Sequence, residues 1–115
     1  MIDFRWAIPC LLVLLFTGPL QAEGIDERQF GAIKKLGQLN GVALNCRFIN
    51  ETRRMKKALV LTLPKRRQYG EAFDSETNAS FLRLIETKAN CPMEAAFSRQ
   101  VDDAILLLDS VFADK

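Results

Sequence analysis

From Asp26 to Phe48 the apolar positions return every three or four residues, at Phe30, Ile33, Leu36 or Gly37, and Ala43 or Leu44, with Asn40 on the same side. That spacing predicts an α-helix with one buried face, and Asp26 is a suitable N-cap for it. A second helix is predicted from Asn50, as N-cap, to Leu63, because Pro64 lacks a backbone donor and restricts the residue before it. Its apolar stripe is Met55, Leu59 and Leu63, joined by Ala58 and Thr62, with Arg53, Arg54 and Lys57 projecting from the other side. "ALVLTL", Ala58 to Leu63, is the single hint of strand alternation, and the one-face spacing of the charges before it favours a helix. Pro64 itself suits the first turn of a third helix, which carries Tyr69 and Phe73 four apart.

"DSETNAS", Asp74 to Ser80, interrupts this pattern with polarity and predicts a loop or a broken helix. Another helix then carries Phe81, Leu82, Leu84 and Ile85 and ends before Asn90. The last helix runs from Met93 to about Phe112, with Phe97, Val101, Ala104, Ile105, Leu108, Val111 and Phe112 on its buried face. The predicted fold is therefore all-α, a small bundle of four or five short helices. Gly37 and Gly41 stand four apart on one side of the first helix, where each costs about 1 kcal/mol against alanine. Close approach of a neighbouring helix is the expected return, which makes the two glycines a predicted helix crossing.

The N-terminus departs from this amphipathic pattern. Residues Trp6 to Phe16 are apolar apart from Pro9 and Cys10, with Arg5 before them, Gly18 and Pro19 after them, and a small residue at Ala22. This is the layout of a secretory signal peptide over residues 1–22, too short in its apolar core to span a bilayer. Cleavage after Ala22 would leave residues 23–115 as a single helical domain. The expected location is outside the cytoplasm, periplasmic in a Gram-negative source and secreted otherwise.

Export changes the reading of the cysteines. Cys46 and Cys91 form an even pair beyond the signal, which in an oxidising compartment predicts a disulfide stapling the bundle. The chain contains no histidine and no Cys-x-x-Cys, which excludes histidine-based triads, histidine zinc sites and thioredoxin-type chemistry. No metal, cofactor or catalytic residue is expected. A carboxylate-dependent hydrolase is the one enzymatic alternative. Asp102 and Asp103 point 100° apart on a helix, and Glu71 and Asp74 lie three apart with no groove predicted between them.

Charge separates along the chain. Arg47 to Arg67 holds eight basic residues against Glu51 alone, while Gln68 to Lys115 holds nine acidic residues and four basic ones. Arg53, Arg54, Lys57, Lys65, Arg66 and Arg67 form a predicted basic face. Nucleic acid is not its expected partner, since no glycine-rich loop, aromatic platform or helix-turn-helix signature accompanies the run. The expected partner is an acidic protein of the envelope or secreted space, and the alternative is an anionic lipid or cell-wall polymer. Two bland readings compete, a seam with the acidic last helix and a merely solvated face. Ile105 to Leu108 are four successive apolar positions that cover most of a helix circumference. Leu106 and Leu107 are thus candidates to meet a partner or a second copy in a homodimer. The function expected from the sequence is that of a small exported adaptor without catalytic activity.

Overall fold

The computed structural model describes residues 20–113 of the chain. Most of the predicted export segment, residues 1–19, lies outside the described residues. Four helices follow in order, α1 (Leu20–Cys46), α2 (Ile49–Thr62), α3 (Arg67–Thr87) and α4 (Glu94–Val111). No strand forms among the described residues, and "ALVLTL" continues α2. α1 packs against all three other helices, while α2 and α4 lie side by side and α3 occupies another flank of α1.

The connections set this arrangement. α1 ends with Arg47 in the left-handed region (φ 64°), while the Phe48 amide donates to Ala43 O at 2.8 Å and the Arg47 amide to Leu44 O at 3.4 Å. These bonds satisfy the last carbonyls of α1 and reverse the chain within two residues, so α2 runs antiparallel to it. α3 ends the same way at Lys88 (φ 54°), with the Ala89 amide donating to Leu84 O. α2 stops at Leu63, before Pro64, as the proline requires. Cys46, the last residue of α1, is bonded to Cys91 in the loop before α4, with their Cα atoms 5.7 Å apart.

Helix boundaries differ from the sequence expectation in four places. α3 begins at Arg67, so Pro64 lies in the connection before it and not in its first turn. Asp26 is not an N-cap: α1 begins at Leu20, since only Gly24 opposes a helix between them. Asn50 lies inside α2, whose cap position is Phe48 without a side-chain bond. The largest correction is "DSETNAS", which is neither a loop nor a break. α3 runs through it, with Phe73, Thr77 and Ser80 buried and Asp74, Ser75, Asn78 and Ala79 exposed. The buried face of a helix here is made of small polar residues, which hydropathy alone reports as solvent-exposed chain.

That face meets the glycines. A Cβ built on Gly37 would lie 2.8 Å from Glu76 Cβ and 2.9 Å from the Phe73 carbonyl oxygen. A Cβ built on Gly41 would lie 2.6 Å from Ser80 Cβ and 2.9 Å from the Phe81 amide nitrogen. α1 and α3 therefore cross backbone to backbone along Gly37 and Gly41. Polar bonds seal the seam: Ser80 Oγ donates to Gln38 O at 2.9 Å, and Asn40 Nδ2 to Thr77 Oγ1 at 3.3 Å.

The apolar core lies on the other sides of α1. Ile33, Leu36 and Leu39 pack with Met55 and Leu59 of α2, Tyr69 and Phe73 of α3, and Phe97, Val101, Ala104 and Leu108 of α4. Aromatic pairs close both ends. Phe48 and Phe97 stand 5.3 Å apart near the disulfide, and Tyr69 meets Phe112 edge-on at 5.5 Å at the other end. Aromatic pairs of this geometry contribute about 0.5–1.5 kcal/mol beyond the area they bury.

Candidate functional site

α2 uses its circumference in three ways. Successive residues turn by about 100°, so with Arg53 set at 0° the buried Met55 and Leu59 fall near 200° and 240°. The flank near 100° faces α4, and the sector from about 300° to 80° faces solvent. Ile49, Arg53, Lys56, Lys57, Val60 and Leu61 occupy that outer sector together with Asn50, and it contains no acidic residue.

Arg54 departs from the predicted basic face. At 100° it turns toward α4 and is only half exposed. Its guanidinium donates to Glu51 Oε1 through Nε at 3.0 Å and Nη2 at 2.8 Å, to Asp102 Oδ1 at 2.7 Å and to the Ser98 carbonyl at 3.1 Å. Partial burial works against its charge, but the bonds and charges of Glu51 and Asp102 outweigh this and raise its pKa above the ordinary arginine range. Glu51 is 7% exposed, so Arg54 is the group that makes its burial tolerable. Arg54 is thus committed to holding α2 against α4. The seam between the basic and acidic helices is real at this point, and a second polar bond, Thr62 Oγ1 to Asp109 at 3.0 Å, continues it.

The remaining basic candidates are free surface. Arg53, Lys57, Lys65, Arg66 and Arg67 are exposed, and Lys56 adds a cation that the sequence reading left out. Lys65 and Arg66 follow Pro64 in the short connection to α3, and Arg67 is the first residue of α3. The Arg66 guanidinium stands 6.0 Å from the Tyr69 ring centroid, which orients that side chain over the end of α3. Beside the cations lie aliphatic residues that the sequence reading did not assign: Val60 is 73% exposed and Leu61 75%. Their signal was present, since both fall outside the Met55, Leu59, Leu63 stripe.

Between α2 and α4 runs a groove of about 430 Å³, lined by Arg54, Lys57, Ala58, Leu61, Thr62, Ile105 and Asp109. Its floor is apolar, its α2 rim basic and its α4 rim acidic. Leu106 is exposed on the outer side of α4, and Leu107 is exposed on the side toward Lys35 of α1. Ile105 and Leu108 turn inward, so the four-residue apolar run divides between core and surface. Glu71, Asp74, Asp102 and Asp103 are all exposed, on separate helices in two pairs. Among the described residues no three His, Cys, Asp or Glu side chains are grouped to hold a metal ion, and no helix is long and apolar enough to cross a membrane.

No known protein family, curated protein or solved structure matches the chain. The fold and the surface chemistry of α2 and α4 are accordingly the ground for a functional reading. On that ground the protein is a small, compact all-helical bundle with one disulfide.

Proposed function

We propose that this protein is a small exported adaptor without catalytic activity, which binds an acidic protein partner through the outer face of α2. The observation that carries the reading is the mixture in that face: Arg53, Lys56 and Lys57 stand among Ile49, Val60 and Leu61, and no carboxylate stands with them. A face that only keeps a protein soluble has no use for exposed aliphatic residues beside its cations. A phosphate-binding stripe has little use for them either. A protein interface uses both, the charges for encounter and the aliphatic groups for affinity. The closed Cys46–Cys91 bond supports the exported location, because such bonds persist in oxidising compartments.

Crosslinked capture from the native envelope tests this. The wild-type protein is compared with Arg53→Glu/Lys56→Glu/Lys57→Glu and with Val60→Ser/Leu61→Ser, each checked for helix content. The expected result is one acidic partner captured by the wild type, lost with both variants, and lost more readily as salt rises. Retention by both folded variants would leave α2 as solvated surface. The rival reading, an anionic lipid surface, is decided by co-sedimentation with phosphatidylglycerol vesicles in place of the envelope extract.

A further inference from the structure

We infer that the α2–α4 face is a self-complementary surface on which a second copy of this chain docks about a twofold axis parallel to the two helices. This goes beyond the reading above, since the occupant is the chain itself.

The geometry begins with direction. Arg54 is level with Ser98 and Asp102, and Thr62 is level with Asp109, so α2 and α4 run parallel, side by side. The face they share is electrically divided. Its α2 half carries Arg53 and Lys57 with the exposed Leu61, and its α4 half carries Asp102 and Asp109 beside the groove, with the exposed Leu106 and a single cation, Arg99, farther round the helix. The apolar floor of Ala58 and Ile105 lies between them.

Only certain symmetric pairings suit such a face. A twofold axis across the helices would set α2 on α2 and α4 on α4, placing like charges opposite one another. A twofold axis along the helices sets α2 of each copy on α4 of the other, at the same height. Each basic rim then meets an acidic rim twice over, as an isologous contact demands. Leu61 and Leu106, which no element of their own chain covers, gain a neighbour across the axis. The charges therefore select one orientation and the leucines supply the contact.

The size of the face sets the strength. α2 spans about 20 Å, and two helices side by side are about 20 Å wide, giving a footprint on the order of 400 Å² per copy. Standard stable interfaces cover about 800 Å² per partner, so this dimer is a weak, concentration-dependent one. The dimer covers Arg53, Lys57 and Leu61 of the face proposed above for an acidic partner, so that partner competes with the second copy for them, while Ile49, Lys56 and Val60 stay open.

The test is a charge exchange read by sedimentation equilibrium, on protein purified from an exporting host with its disulfide closed. Lys57→Glu and Asp109→Lys each set like charges on facing rims at both contacts of the dimer, Lys57 lying five residues, about 7 Å, before the level of Asp109. Asp109→Lys also removes the Thr62 bond, so both variants are first checked for wild-type helix content. Each should weaken dimerisation severalfold. An equimolar mixture should restore it to near the wild-type level, because in the mixed dimer both contacts are complementary again. A monomeric wild type up to several hundred micromolar overturns the inference. So does dimerisation of each variant at the wild-type level, or a mixture that associates no better than its components. Partner capture that survives Lys57→Glu while the dimer is lost would separate the two surfaces, and failure of the wild-type protein to capture any acidic partner would count against the adaptor reading and not against the dimer.

Discussion

Replacing glycine by alanine should change sign from one helical position to another in this protein, and the crossing of α1 and α3 sets where. In an open helix the change gains about 1 kcal/mol from helix propensity and lost unfolded-state freedom. Gly31 in α1 and Gly70 in α3 are such positions, because a Cβ there meets nothing within 4 Å. At Gly41 the same methyl must enter space held by Ser80 Cβ and by the Phe81 backbone amide, at 2.6 and 2.9 Å. Backbone cannot rotate aside as a long side chain can, so α3 must move away from α1. Overpacking of this kind costs about 1–3 kcal/mol. The Ser80 bond to Gln38 O goes with it, at about 1 kcal/mol.

Setting the propensity gain against these losses leaves Gly41→Ala destabilised by about 1–3 kcal/mol and Gly31→Ala stabilised by up to about 1 kcal/mol. Gly37→Ala falls between, since its contacts, Glu76 Cβ at 2.8 Å and the Phe73 carbonyl at 2.9 Å, are tight but slightly longer than those at Gly41. Urea unfolding with the disulfide intact should therefore place the midpoint of Gly41→Ala below that of Gly31→Ala by about 0.5 M or more, at the slopes usual for a small domain. Gly37→Leu and Gly41→Leu should be worse still. A Gly41→Ala midpoint at or above that of the wild type, with the slope unchanged, would refute the tight crossing. The Gly31 and Gly70 variants ensure that such a result could not be blamed on propensity.

Further outcomes follow from the same geometry. Replacing Cys46 and Cys91 together by serine should lower stability by about 4 kcal/mol from a 45-residue span, read as a shift in thermal midpoint against the oxidised protein. Arg54→Met should cost about 1.5–3 kcal/mol by leaving Glu51 buried without its partner, and a second change, Glu51→Gln, should recover part of the loss in urea unfolding. Amide exchange should find Thr77 and Ser80 protected to the level of Phe73, whereas a loop over residues 74–80 would exchange them within seconds.

How far the fold was legible depended on what each helix buries. α4 was legible nearly residue by residue, because Phe97, Val101, Ala104 and Leu108 repeat with the helical period and all four are buried. The disulfide was legible once the N-terminus implied export. α3 was legible at its two ends, at Tyr69 and Phe73 and again from Phe81 to Ile85, but not through residues 74–80, because there it packs on α1 through Thr77 and Ser80 against Gly37 and Gly41. A helix that buries small polar groups leaves no hydropathy signal. The cue that remained was the pair of glycines, which asked for a close neighbour without naming it. Arg54 was misplaced for a related reason. Its position around α2, 100° from Arg53, lies between the solvent side and the core, and only the whereabouts of α4 decide which it joins. The run of cations drew attention to charge, and the exposed Val60 and Leu61 inside it went unassigned.

Val60 and Leu61 also bear on how α2 is held. A 14-residue helix has little stability of its own and is normally fixed by burying an apolar stripe. α2 buries only Met55 and Leu59 fully among its apolar residues, yet exposes Ile49, Val60 and Leu61. Rotating the helix to bury those three would pull Arg54 from Asp102 and Ser98 of α4. The polar clamp therefore fixes the rotation of α2 and keeps its aliphatic residues outward. Its bonds at Arg54 and Thr62 hold the helix near both ends, while Lys57 and Leu61 stand between and beside them on the open surface. A polar clamp can hold an apolar surface in water where hydrophobic burial alone would draw it inward. That division makes the charge of Arg54 a matter of stability and leaves the charges of Arg53, Lys56 and Lys57 on the open surface for the recognition proposed above, although all four belong to one basic run in the sequence.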